Sequence, residues 1–361
     1  MRAIHQFLPD LQPGDASSSH TLAIQRELRS MGLESDVYSH TTHASLAGRA
    51  KPYTSYAPAP GGGVERLLYH LAIGSVVADY LLGRPEPLLV DYHNLTPGAF
   101  FADWAPPVVY GQTWGRQQLA ALAPRTELAL ADSAFNRSEL VEAGYQRSTV
   151  VPILLDTDAF DREVDDVALR RLQEARAAGG ADWLFVGRLV PNKAQHDVVK
   201  AFAAYRSAFD PLARLHLVGG TSVPAYEVAL QRFVEALGLE GAVEMTGPVP
   251  AATLTAHYRS ADVFVCLSEH EGFCVPLLEA MHHEVPIVAF AAAAVPETVA
   301  GAGLVLDDKA PVHVAAAVDR VVRDERVRRT LAAAGRRRLA EFSLERSRAL
   351  LREAIESLEA A

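Results

Sequence analysis

At 361 residues the chain is long enough for two domains, each burying its own core. It is 49% hydrophobic and 22% charged, and 34 basic against 44 acidic residues give a formal net charge of -10, which argues against a general nucleic-acid binder and a strongly basic membrane-docking face. No segment approaches ~18 uninterrupted apolar residues and the N-terminus lacks the apolar core of a signal peptide, so the expectation is a cytoplasmic protein, at most peripheral to a membrane.

The first eight residues, MRAIHQFL, read as a strand, Pro9 to Ser19 as a loop, and TLAIQRELRSMG as a helix ending at Gly32. That strand, Gly-containing loop and helix open a doubly wound βα unit, whose ligands sit beyond the carboxyl ends of the strands. Gly14 and Asp15 in this loop are therefore candidate ligand-contacting residues. The loop lacks the repeated glycines of a dinucleotide fingerprint, so no nicotinamide site is expected. A second strand is expected at Ser35 to Ser39, then a loop from Thr41 to Gly63, long enough to serve as a flap over a ligand. LLYHLAIGS and PLLVDYHNLTP read as further strands, carrying His70 and His93 near their carboxyl ends. On residue chemistry alone, a strand-end histidine is more often a satisfied structural group than a ligand. LALADS, FNRSELVEAG and STVVPILLD continue the alternation, making residues 1–155 one parallel α/β domain.

The link between domains is placed near Leu155 to Phe160. Asp156-Thr157-Asp158 formally spells a metal-binding D-x-D, but its position in a linker does not favour a metal there. WLFVGRLV begins the second domain, and a helix through HDVVKAFAAY follows Pro191-Asn192-Lys193. Arg188 offers a planar fork and Lys193 a compact charge, suited to holding a diphosphate, although in isolation the pair reads first as two surface cations. LARLHLVGG ends in Gly219-Gly220, where a base or ribose can approach the backbone. VEMTGPVP and the helix LTAHYRSAD lead into FVCLSEHEGFCVPLLEAMHHEVPIVAF, read as strand, short polar loop, helix with Pro276 at its first position, and strand. The first-turn N–H groups of such a helix attract an anion. Glu271 stands before the turn and Glu279 within the first turn of the helix, and because carboxylates repel phosphate they are expected to address hydroxyls of a ligand whose phosphate lies elsewhere: a sugar nucleotide. Cys266 and Cys274 read as small buried thiols, Arg336-Arg337-Arg338 as a solvated helix face, and His282-His283-Glu284 as a surface cluster rather than a metal site.

The nine residues from Glu271 to Glu279, EGFCVPLLE, resemble the E-x7-E signature of retaining family 4 glycosyltransferases, and VGRLVPNK is similar to that family's G-R-x4-K pattern. The resemblance implies the GT-B fold, with two Rossmann-like domains facing each other across a cleft. The amino-terminal acceptor domain would be 1–155 plus 343–361, whose last helix crosses back from about Ser343; the carboxyl-terminal nucleotide-sugar domain would be 160–342. It also implies donor contacts at Arg188, Lys193, Gly219, Val249, Glu271, Gly272, Phe273, Cys274, Leu277 and Glu279, with Glu271, His93, Arg188 and Lys193 catalytic and Gly14, Asp15 and His70 on the acceptor side. The partners implied are a nucleotide sugar and a saccharide or glycoconjugate acceptor, with no further cofactor and no metal, and transfer by same-face attack assisted by the leaving phosphate. The DYHNLTP and EGFCVPLLEAM variants are most similar to bacterial polysaccharide enzymes, which favours GDP-mannose over UDP-glucose-type donors. The chain departs from the family where small residues or glycine usually stand at 282–284, and where Leu154-Leu155 replaces Asn-Gly before the hinge. Two other readings share these residues: an epimerase or phosphorylase of the same architecture, told apart by release of free nucleoside diphosphate on adding acceptor, and a non-catalytic nucleotide-sugar-binding protein, which turns over no acceptor.

Overall fold

The structure, a computed structural model, describes residues 1–59, 63–161 and 163–359. The chain divides into two compact units: unit 1 is Met1–Ala99, Pro106–Leu155 and Phe342–Ala361, and unit 2 is Phe100–Ala105 with Asp156–Glu341.

Unit 1 opens with β1 (Ala3–Leu11), α1 (Ala16–Ser30), β2 (Val37–Thr42), β3 (Lys51–Pro52), β4 (Glu65–Leu71) and α2 (Val76–Leu82). It continues with β5 (Leu88–Tyr92), α3 (Pro106–Leu122), β6 (Thr126–Ala131), α4 (Ala134–Glu142) and β7 (Ser148–Val150). The strands pair in parallel in the order β3-β2-β1-β4-β5-β6-β7, so the winding reverses between β1 and β4. β5 is buried throughout, as a central parallel strand covered on both faces should be, and Asp91 is the one charged residue within it. A carboxylate at 0% exposure in such a strand demands partners.

Several elements differ from the sequence reading. α1 begins at Ala16 rather than Thr21, because Asp15 caps it by accepting the Ser18 N–H at 2.9 Å. β4 stops at Leu71, and Ser75 caps α2 where a strand was expected to continue. α3 was not anticipated, since Gly111 and Gly115 depress helix propensity. Packing explains them: a Cβ on Gly74 would lie 2.6 Å from Gly115 N and 2.7 Å from Gly111 O. The loop from 41 to 63 is not a free flap. It contains β3, and Tyr56 packs with Phe7 and Tyr38 while donating its hydroxyl to Glu65 at 2.9 Å; residues 60–62 lie outside the described residues.

Unit 2 runs through α5 (Asp166–Ala177), β8 (Asp182–Val186), α6 (Gln195–Ala208), β9 (Arg214–Val218), α7 (Pro224–Ala236), β10 (Val243–Gly247) and α8 (Ala251–Ser260). Then come β11 (Val263–Cys266), α9 (Val275–His282), β12 (Ile287–Phe290), α10 (Val295–Val299), β13 (Gly303–Leu306), α11 (Pro311–Arg323) and α12 (Glu325–Ala340). Its parallel sheet has the order β10-β9-β8-β11-β12-β13, reversing between β8 and β11. The last helix, α13 (Leu344–Glu356), belongs to unit 1, where Leu351 and Ile355 join Ile4, Ile24 and Leu28 in one apolar cluster. Among the described residues no helix is long and apolar enough to cross a membrane.

Arg338 corrects the expectation of a uniformly solvated arginine run. Its guanidinium donates to the carbonyls of Thr298 at 3.1 Å and Glu297 at 2.8 Å, at the end of α10. Glu284 takes φ 57°, a left-handed helix end that glycine adopts at no steric cost.

Candidate functional site

In doubly wound sheets, ligands sit beyond the carboxyl ends of the strands at the point where the strand order reverses. In unit 2 that point is the end of β8 and β11, and the residues singled out from sequence gather there. β8 leaves the sheet through Gly187 and the exposed Arg188, and a turn over Pro191–Lys193 leads into α6. Gly219, at the end of β9, has φ 141°, and a Cβ there would lie 2.1 Å from Gly187 O, so only glycine allows the two strand ends to approach this closely. After β11 the loop Leu267–Phe273 is tied to the β8 side, with Asn192 Nδ2 donating to His270 O at 3.1 Å and the Glu269 N–H to Asn192 O at 2.8 Å. Its far end is held by the Thr298 hydroxyl on Phe273 O at 2.7 Å and the Ala294 N–H on Glu271 O at 3.1 Å.

These ties present the N-terminus of α9. Cys274 stands at the cap position with φ 71°, and no side chain caps the helix. The helix starts at Val275, so Pro276 is its second residue rather than its first, and Glu279 lies on its second turn rather than its first. Leu277 is fully buried, so it can offer a ligand only its main chain.

Lys193 Nζ donates to both carboxylate oxygens of Glu271, at 2.5 and 2.7 Å, with side-chain exposures of 16% and 8%. Burial pulls the Lys193 ammonium down, but the Glu271 carboxylate overrides it and leaves the pKa raised. Glu279 accepts the Tyr258 hydroxyl at 2.7 Å, and burial raises its carboxyl above the usual range despite that bond. Sequence alone placed Lys193 and Glu271 in one site but did not pair them. It also missed Tyr258 and Lys309, whose ammonium bonds Asp197 and Glu269 at 2.6 Å each. Val249 follows Gly247-Pro248, and Pro248 stands within ordinary contact of where a Cβ on Gly220 would lie.

In unit 1 the predicted residues fall differently. Gly14 is an exposed positive-φ turn residue and Asp15 is spent as the cap of α1. His70 and His93 converge at the carboxyl edge of β4 and β5 but face inward. His70 is 1% exposed, with Nε2 on Gln6 Oε1 at 2.9 Å and Nδ1 on His93 Nε2 at 3.0 Å. His93 Nδ1 meets Asp132 at 3.0 Å, and Asp91 Oδ2 lies 3.2 Å from His70 and 3.5 Å from His93. Each ring nitrogen of the two thus has a partner inside unit 1. Burial lowers the His70 pKa to about 4. Burial also pulls on His93, but Asp132 and Asp91 lift it to about 9. Gln6, His20, Asp91 and Asp132 went unnoticed in sequence; the signal available was a lone Asp inside the apolar strand LLVDY.

Among known families, one described as "Glycosyl transferases group 1" matches residues 171–338. The chain carries a group 1 glycosyltransferase domain. That domain contains Arg188, Lys193, Glu271 and Glu279, and so the whole of the unit 2 site. A D-inositol 3-phosphate glycosyltransferase of Geodermatophilus obscurus is 35% identical over 242 residues, 64% of this chain and 52% of the relative. A GDP-mannose-dependent alpha-(1-6)-phosphatidylinositol monomannoside mannosyltransferase of Mycobacterium tuberculosis is 30% identical over 233 residues, 61% and 59% of the two chains. The chain thus spans about half to three-fifths of the length of the curated relatives it matches. Of solved structures, sucrose-phosphate synthase from Thermosynechococcus elongatus superposes over all of both chains with TM-score 0.75 at 17% identity. Anabaena HepE in complex with UDP-glucose does so over 99% of this chain and 100% of its own, with TM-score 0.75 at 18% identity. The two parallel-sheet units are those of the GT-B fold that these structures share.

Proposed function

We propose that this protein is a retaining glycosyltransferase that moves a hexose from a nucleotide-diphosphate sugar to a hydroxyl of a saccharide or glycoconjugate. The observation that carries this reading is the Lys193–Glu271 pair at the uncapped N-terminus of α9, inside the group 1 domain. Departure of a nucleoside diphosphate builds negative charge on the phosphates as the anomeric carbon becomes cationic. Arg188, Lys193 and the first-turn amides of α9 supply fixed positive potential where that charge appears. On this reading Glu271 holds Lys193 in place until the diphosphate arrives as its anion. The released carboxylate then accepts hydrogen bonds from the donor-sugar hydroxyls, and Glu279, oriented by Tyr258, takes the ribose. Because the cations at the diphosphate belong to the chain, nucleotide affinity is expected to be the same with and without Mg2+. The relative named for GDP-mannose favours that donor over UDP-glucose types.

The test is transfer kinetics with a panel of nucleotide sugars, together with calorimetric binding of GDP and UDP. Removing one transition-state charge stabiliser costs on the order of 10²–10³ in turnover. Glu271→Ala and Lys193→Ala are each expected to lose at least that while circular dichroism stays native. Near-normal turnover in either variant overturns the assignment, and binding without turnover on any acceptor replaces it with a nucleotide-sugar-binding protein.

A further inference from the structure

We propose that Cys266 and Cys274 are a modification site, an oxidisable pair that hydrogen peroxide converts to a disulfide across the two ends of the loop carrying Glu271. The bond itself is independent of the donor reading, whereas its effect on nucleotide binding rests on that reading. Two observations carry the site: where the thiols stand and what surrounds them. They are the only cysteines of the chain, and both are free and buried. Cys266 ends β11 and Cys274 stands at the cap of α9, so the two bracket the loop Leu267–Phe273. Their sulfurs lie within 4.8 Å of each other and of a Glu271 carboxylate oxygen. A metal held by these three side chains would have to displace the Lys193 ammonium from Glu271, which a bond between the two sulfurs does not require.

Buried thiols are ordinarily inert, because an apolar site disfavours the thiolate. Here positive charge is at hand: the Lys193 ammonium acts on both sulfurs, and Cys274 sits at the uncapped N-terminus of α9. Hydrogen bonding from Cys274 lowers the Cys266 pKa despite burial, while the same bond and burial hold Cys274 above the usual thiol range. Cys266 is therefore the nucleophile and Cys274 the thiol that resolves it. Exposures of 2% and 8% suit an oxidant little larger than water, which hydrogen peroxide is. The Cys266 thiolate attacks one peroxide oxygen, the O–O bond breaks, and the departing hydroxide takes up the proton that Cys266 gave up. The Cys274 sulfur then attacks the sulfenic acid on Cys266. The S–S bond forms, the S–O bond breaks, and the oxygen leaves as water with the Cys274 proton. Two thiols lose two electrons in all, and one peroxide becomes two waters. Closing to the ~2.05 Å of a disulfide draws the ends of the loop together. Glu271 is then locked inside a nine-residue ring, and the cap of α9 shifts away from where its first-turn amides meet a diphosphate. The oxidised form is the weaker binder.

The experiment treats the reduced full chain with hydrogen peroxide and reads intact mass, free thiols after denaturation, and calorimetric affinity for GDP and UDP. Expected are the loss of two hydrogen atoms and of both free thiols, reversed by dithiothreitol. The nucleotide Kd is expected to rise on the order of tenfold, about 1.4 kcal/mol of binding. Cys266→Ala is expected to form no bond within the chain and to keep the affinity of the reduced protein under peroxide. If Cys266→Ala does not fold, the wild-type mass and thiol count decide. Two free thiols after peroxide, added oxygen without a bond, or a bond between chains overturns the proposal. A disulfide that leaves nucleotide affinity unchanged overturns its effect on the donor site. Reduced protein that binds neither nucleotide fails the donor reading instead, and mass and thiol count still decide the bond.

Discussion

Replacing Lys193 by Met removes the only cation that contacts the Glu271 carboxylate in the described hydrogen bonds and strands that carboxylate at 8% exposure. Breaking a buried pair from one side typically costs about 3–5 kcal/mol, because the surviving charge has lost both water and partner. For a body the size of unit 2, with about 2–4 °C of melting temperature per kcal/mol, that corresponds to about 6–20 °C. The double variant Lys193→Met/Glu271→Leu removes both charges, and apolar replacements for a buried pair are often neutral or stabilising. It is therefore expected to recover most of the loss, so the coupling energy in the double-mutant cycle is at least about 3 kcal/mol. The assay is thermal unfolding for the melting temperatures and guanidinium unfolding for the cycle, each followed by circular dichroism and tryptophan fluorescence, with Trp183 as a fully buried reporter in β8. A single variant that melts within about 2 °C of the wild type would refute the pair as a buried electrostatic unit. So would a double variant showing the simple sum of the two single losses.

Two further outcomes test the surrounding frame. Gly219→Ala puts a Cβ 2.1 Å from Gly187 O in a backbone region that costs non-glycine residues about 1–3 kcal/mol before any clash. It is expected to unfold at clearly lower denaturant, while Gly241→Ala, with nothing within 4 Å, stays within about 0.5 kcal/mol; equal midpoints would refute the close approach. Burial, aided by the neighbouring His216, lowers the His257 pKa to about 4. Since the folded value lies below the unfolded 6.5, the unfolded state binds the proton first. Stability is therefore full above about pH 6.5 and falls by about 3 kcal/mol on the way to pH 4. Glu244, lowered to about 2 by its hydrogen bond to His216, loses its contribution only below about pH 4.5. His70, also lowered to about 4, contributes in the same window in both proteins, so the difference between wild type and His257→Leu from pH 6.5 to 4.5 reports His257. Thermal melts of wild type and His257→Leu across that window check this, and parallel profiles would contradict it.

The proposed donor site in unit 2 could be read from the sequence because its residues stand in contiguous strings. GRLVPNK and EGFCVPLLE each place their groups within one βα turn, and local backbone rules then orient them. What was not legible there is the bond between Lys193 and Glu271, which are 78 positions apart and meet only because β8 and β11 are neighbours. The unit 1 cluster was harder still. His70 and His93 could be seen at strand ends, yet their direction could not, and Gln6, His20, Asp91 and Asp132 come from four other segments. α3 escaped notice because Gly111 and Gly115 look like helix breakers until the Gly74 loop is packed against them.

Composition and periodicity by themselves determined alternating βα units, division near residue 155 and the positive turn ahead of α9, since those depend on neighbours within a few residues. Only the tertiary structure decided which charges cancel one another and which histidines turn inward. The parallel crossovers bring together side chains from distant segments, and a buried charge is decided by whatever lies within a few ångströms of it.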